Sequence, residues 1–240
     1  MKINFPLLAL AVGAFAIGTT EFSPMGFLPE IANDLSVSIP QAGLLISAYA
    51  VGVMIGAPLM TLWLARFPKK TALILLMAIF TIGNVLATVA PDYMSLMGAR
   101  LITSLNHGAF FGLGSVVAAS VVPKDKQASA VAMMFMGLTI ANIGGVPLAT
   151  WLSQNTSWRM AFAAISILGI MTMLALWKAL PQDHDVVKPN VAKGLRVLTR
   201  APVVLALLTT VMSAAQCLRY IPTSTRTYTY LCRHHPTPLP

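Results

Sequence analysis

Apolar residues run in unbroken blocks of about 20, the length a helix needs to cross the hydrocarbon core of a bilayer. Six such blocks occupy residues 5–28, 39–65, 71–90, 93–122, 127–152 and 160–179, and a seventh begins at Ala201 and fades near Cys217. The three-or-four spacing of a half-buried helix is missing from them. Within lipid, every backbone N–H and C=O must pair inside its own segment, so the blocks are expected to be helices. The fold class that follows is an all-α integral membrane protein. The first block follows Lys2 but is too long for the apolar core of a signal peptide, and five more come after it.

Charge supports this. Hydrophobic residues make up 57% of the 240, charged residues only 10%, against about 25% charged in an ordinary soluble domain. The formal net charge of +9 would suit a nucleic-acid partner if the bases were clustered. Instead they alternate between connections. Lys2, then Arg66, Lys69 and Lys70, then Lys124 and Lys126, then Lys178, Lys188, Lys193, Arg196 and Arg200 fall on one set of ends; only Arg159 falls on the other. That is the positive-inside pattern with a cytoplasmic N-terminus. The expected location is a bacterial inner membrane, crossed several times, with the lipid bilayer and no nucleic acid as partner.

Four regions are expected. Residues 1–180 form a unit of six spans, 181–200 a polar cytoplasmic loop, 201–215 the start of helix 7, and 216–240 an aberrant polar tail without ordered structure. Residues 201–215 give about 22 Å of helix, short of the ~30 Å core. Both cysteines, Cys217 and Cys232, lie in the tail region, so no disulfide framework is implied. Cys232 with His234 and His235 is a weak zinc signal, and no metal site or cofactor is expected. No phosphate loop, zincin motif or serine-nucleophile motif occurs, so the chain is expected not to be an enzyme.

Three ionisable side chains sit well inside the blocks: Glu21, Arg100 and His107. Each is expensive in hydrocarbon and is functional or paired by default. Helix rise puts Glu21 about 12 Å and Arg100 about 10 Å below the same surface, with His107 about 21 Å deep. If the first and fourth spans are neighbours, Glu21 and Arg100 can pair, either as a fixed buried ion pair or as a site where Glu21 takes up a proton and releases Arg100. His107 is either a neutral histidine bonded to a neighbouring helix, or a proton relay or substrate contact. Asn106 and Asn142 face a cavity or act as interhelical glue. Gly137, Ala141 and Gly145 form a small-residue stripe, either for simple packing or as a hinge bending the fifth span near Pro147.

Four segments resemble the major facilitator superfamily, in its drug and sugar efflux branch. TTEFSPMGFLPEIA (19–32) is similar to the first-span signature through Gly26, Leu28, Pro29 and Ala32. GARLITSLNHGAFFG (98–112) resembles the fourth-span motif, with Arg100 its buried arginine. GLTIANIGGVPLAT (137–150) is similar to the fifth-span antiporter motif, and SWRMAF (157–162) to the turn before span 6. The resemblance covers about residues 1–215. It implies the N-terminal half of a twelve-helix transporter, with a cavity lined by spans 1 and 4. That transporter would export small organic molecules (sugars or drugs) by proton antiport, with Arg100 implicated in proton transfer and the 137–147 stretch in antiport. The basic loop between spans 2 and 3 keeps Arg66, Lys69 and Lys70, but Thr61, Ala65 and Pro68 stand where the family has Gly, Asp and Gly. Family members carry six more helices, so a missing C-terminal half is expected to be needed. A truncated or frameshifted reading frame, leaving an inactive or partner-dependent fragment, is the alternative.

Overall fold

The computed structural model describes residues 4–180 and Leu205. The chain divides into two units, residues 1–189 and 190–240; in the second, only Leu205 is described, helical and exposed. The expected central loop (181–200), the rest of the seventh-helix start (201–215) and the polar tail (216–240) lie outside the described residues.

The described part of the first unit is all helical. In chain order it contains α1 (Phe5–Gly26), α2 (Leu28–Asp34), α3 (Ile39–Leu64), α4 (Lys69–Thr88), α5 (Tyr93–Ser104), α6 (His107–Ser120), α7 (Gln127–Ile140), α8 (Val146–Asn155) and α9 (Trp158–Ala179). Six stretches are long and apolar enough to cross a membrane. The fourth joins α5 to α6 through a turn at Leu105–Asn106. The fifth joins α7 to α8 through a π-helical turn at Ala141–Gly145. Neither interruption breaks the run of apolar residues.

The π turn has a local cause. Pro147 sits in the first turn of α8 and has no N–H to give to the preceding turn. An i→i+5 turn directly before it lets the helix continue past the missing bond. Near Pro147, where a bend is expected, the structure has a π turn that ends two residues before the proline.

Helix starts differ between the two ends of the bundle. At one end, Ser38 accepts from Gln41 N at 3.3 Å, Asp92 and Ser95 form a reciprocal capping box, and Ser157 accepts from Arg159 N at 3.2 Å. These side chains satisfy donors that the first turn leaves free. At the opposite end, which carries Arg66, Lys69 and Lys70, α1 holds Pro6 in its first turn, α4 follows Pro68, and the short turn leading into α7 follows Pro123. There, Lys70 Nζ donates to the carbonyl of Leu180 at 2.6 Å and holds the end of α9, a cation at a helix C-terminus.

Packing relates the first three spans to the second three. Span 1 packs on span 5 as span 4 packs on span 2; span 3 packs on span 4 as span 6 packs on span 1; spans 3 and 6 pack on each other. This exchange symmetry is that of two three-helix repeats within a six-helix half. Spans 2 and 5 are the least enclosed.

The capped end is fastened by Asp34. Its carboxylate accepts from the Arg159 guanidinium and, at 3.0 Å, from Trp158 Nε1. Arg159 also donates to the carbonyl of Ala90 at 3.0 Å and lies over the Trp158 ring. The hydrogen bonds from Arg159 first, then Trp158, hold the Asp34 carboxyl below its usual range. This links α2, the end of span 3 and the start of span 6.

Candidate functional site

Three of the side chains singled out by the sequence converge between spans 1, 2 and 4. α1 supplies Thr20 and Glu21, α3 supplies Tyr49, and the two pieces of span 4 supply Arg100 and His107. Arg100 is 1% exposed. Its Nη1 donates to the carbonyl of Thr20 at 2.9 Å, and the guanidinium stands over the Tyr49 ring, 4.2 Å from its centre. A cation over an aromatic face away from water gains about 2 kcal/mol. Its Nε and Nη2 have no hydrogen-bond partner among the described residues. Thr20 in turn donates its hydroxyl to Asn84 at 2.7 Å, tying span 1 to span 3.

Glu21 does not form the expected ion pair with Arg100. Its Oε2 lies 3.8 Å from His107 Nε2, and among the described residues no carboxylate pairs with Arg100. The reason is rotational. Helix rise puts residues 21 and 100 at similar depth, but Arg100 reaches the backbone of the preceding residue, Thr20, while the Glu21 side chain lies beside His107. Glu21 keeps 27% of its side chain exposed, against 14% for His107.

His107 begins α6 just after the turn in span 4. The hydroxyl of Tyr49 is 3.2 Å from its Nδ1. The imidazole lies 5.1 Å from the Phe111 ring, which stacks on Phe135 of span 5 at 5.2 Å. An aromatic wall thus runs from the polar cluster toward span 5.

The other candidates distribute differently. Asn106 is fully buried at the turn in span 4, and neither of its amide atoms has a partner among the described residues. Asn142 is exposed on the π turn and donates at 3.1 Å to Leu138 of its own helix, so it bonds no neighbouring helix there. Gly137 and Gly145 are buried against α1, the first at the backbone of Ala11 and Phe15, the second at the side chains of Thr19 and Phe15. Pro147 is exposed. Arg66 donates from Nε to the carbonyl of Trp63 at 3.0 Å. With Lys69 and Lys70 it belongs to the basic end of the bundle and takes no part in the cluster. A cavity of about 180 Å³ opens at that end, lined by Thr61, Phe67, Lys69 and Leu113 among others; it shares no residue with the cluster.

Tyr49 and Thr20 are the members that sequence reasoning missed. A phenol inside an apolar span needs a polar partner, and that requirement was the available signal for Tyr49.

Among the described residues, no three His, Cys, Asp or Glu side chains converge to hold a metal ion. The cluster combines hydrogen bonds joining Arg100, Thr20, Asn84, Tyr49 and His107 with one partly exposed carboxylate, Glu21. Such an arrangement can move a proton or grip a solute.

The family described as the Major Facilitator Superfamily matches residues 10–232. The chain is 67% identical over 214 residues to the inner membrane transport protein YdhP of Escherichia coli (strain K12), covering 89% of this chain and 55% of that protein. It is 31% identical over 176 residues to a probable sugar efflux transporter of Pasteurella multocida, covering 73% and 43%. In structure it is similar to a partially occluded, inward-open form of the xylose transporter XylE from E. coli. The TM-score is 0.62 at 18% identity, over 74% of this chain and 48% of that one. The chain spans about half the length of the curated relatives it matches.

Proposed function

Given that the chain belongs to the major facilitator superfamily, a family of transporters that are not enzymes, we propose that it is one wall of a proton-driven exporter of small organic molecules. Its six spans would work with a second six-helix half, and the cluster of Glu21, Arg100 and His107 would line the space between them. Glu21 is the proton carrier. The observation that carries this reading is its placement: among the described residues it is the only carboxylate more than a turn inside a span, and it stays partly exposed beside His107. An ionisable group kept there at the cost of burying it is best explained by a role that needs its charge to change. Arg100, fixed on the Thr20 carbonyl, holds positive charge beside the carboxylate throughout.

The sugar efflux relative favours sugars as solutes, and the stacked Phe111–Phe135 wall suits the apolar face of a sugar or a drug. The N-terminus lies in the cytoplasm, in accord with the bases at one end of the bundle. The Ala141–Gly145 turn against Gly18 and Thr19 of α1 is the place where span 5 flexes as the halves rock.

The test is transport in inverted membrane vesicles containing this chain together with the last six helices of a full-length relative. Uptake of a labelled monosaccharide that requires an inside-acid gradient, and is lost in Glu21→Gln, supports the proposal. Gradient-driven uptake that persists unchanged in Glu21→Gln removes Glu21 from coupling. Uptake in neither preparation favours an inactive fragment.

A further inference from the structure

His107 is contacted on both ring nitrogens, by groups of different character. Nδ1 is hydrogen-bonded to the Tyr49 hydroxyl at 3.2 Å, and Nε2 faces the Glu21 carboxylate at 3.8 Å, an ion-pair separation that must shorten before a hydrogen bond forms. A neutral imidazole carries one proton, so one nitrogen donates and the other accepts. A hydroxyl can do either, and an ionised carboxylate only accepts. Once the Glu21 side chain closes to hydrogen-bond distance of Nε2, these rules couple the two sides of the ring. With Glu21 ionised, the imidazole proton belongs on Nε2, pointing at the carboxylate, and Nδ1 accepts from the Tyr49 O–H. With Glu21 protonated, its own O–H donates to Nε2. The imidazole proton then belongs on Nδ1, and the Tyr49 oxygen accepts it.

We propose that Tyr49 is a positioning residue that holds the His107 ring so that its tautomer switches with the protonation of Glu21. The net change is one proton gained by the carboxyl and one imidazole proton relocated from Nε2 to Nδ1; the ring stays neutral in both states. The ionisable groups that face the ring are Glu21 from α1, Tyr49 from α3 and Arg100 from α5. Arg100 is a permanent cation beside the cluster, and its guanidinium lies on the other part of the same tyrosine. A second positive charge on His107 would sit against it unfavourably, which favours tautomer exchange over formation of an imidazolium. Tyr49 is 3% exposed, so its hydroxyl is held for this contact rather than for solvent. The step rests on Glu21 being the titrating carboxylate.

The direct test is nitrogen NMR of the full chain in lipid nanodiscs, labelled with ¹⁵N-histidine. The resonances of His107 are identified by their loss in His107→Gln, which separates them from His184, His234 and His235. The expected result is a single Nε2–H tautomer at high pH and a single neutral Nδ1–H tautomer at low pH. In Tyr49→Phe, the high-pH spectrum becomes a mixture of tautomers. Direct conversion to a doubly protonated ring, or one tautomer at every pH, would overturn the switch. An unchanged spectrum in a folded Tyr49→Phe protein would remove the positioning role. If that variant does not fold, Tyr49→Trp, whose indole N–H can only donate, forces the Nε2–H tautomer at all pH values if the proposal holds. Because the readout is independent of transport, a switch without coupled flux would leave this inference standing and refute only the proposed function.

Discussion

Replacing Gly137 with alanine probes the close contact between span 5 and span 1. A methyl group at this position would lie 2.9 Å from the carbonyl carbon of Ala11 and 3.1 Å from the amide nitrogen of Phe15, and closer still to the Ala11 oxygen. Carbon atoms in comfortable contact are at least ~3.5 Å apart, so α7 must retreat from α1 by more than about 0.6 Å, the amount the carbonyl carbon alone demands, to clear the nearer oxygen as well. The obstructing atoms are backbone, which cannot rotate aside as a flexible side chain would. Overpacking of this kind costs about 1–3 kcal/mol, and the upper end applies here. Alanine recovers about 0.5–1 kcal/mol of that through its better helix propensity. The net loss is therefore about 2 kcal/mol, which is roughly 30-fold in the unfolding equilibrium. Reversible unfolding in mixed detergent micelles, followed by tryptophan fluorescence, measures it. Gly98→Ala is the control: nothing lies within 4 Å of a methyl group there, so that variant should match or slightly exceed the parent. Equal stabilities for the two variants would refute the claim that close backbone approach, rather than glycine content as such, sets this helix contact.

Asp34→Asn should weaken the capped end by no more than about 1 kcal/mol, because the pair is partly exposed and screened. Its Asp34 carboxyl is lowered in the folded state, so the stabilisation is present above the unfolded value of about 3.9 and is lost as pH falls through the lower folded value. The variant should show no such acid step in its stability-versus-pH curve. Lys70→Met removes the bond to the Leu180 carbonyl and should cost about 1 kcal/mol, less than a fully buried charge-assisted hydrogen bond because the site is only partly buried. Amide exchange confined to the last turn of α9 should rise in that variant, and an unchanged pattern there would show that the bond contributes nothing.

Span number and order are legible in the sequence because bilayer thickness sets a length that hydropathy measures directly. The interruptions are not. Leu105 and Asn106 turn within an apolar run, and Ala141–Gly145 winds as π helix among residues that an α-helix would also accept. Depth is equally legible, since rise per residue is fixed, and it places Glu21 level with Arg100. Which way each side chain points around its helix depends on neighbours that the sequence does not reveal, so the partner of Glu21 is His107 and not Arg100. Tyr49 sits in an apolar block and resembles a packing residue until its hydroxyl is seen against His107. The Asp34–Arg159 tie is invisible for a similar reason. Arg159 is the lone base of its side in the charge count, but nothing in the sequence says that the first connection folds back to meet it.

The central claim is that solute and proton cross by one coupled pathway through Glu21. Proteoliposomes containing this chain and a complementary six-helix half, loaded with a monosaccharide and a trapped pH-sensitive dye, test it most directly. On dilution into sugar-free buffer, sugar leaving the lumen should draw protons in, so the lumen acidifies, and Glu21→Gln should abolish that signal. Sugar leaving with no change in lumenal pH would contradict the claim.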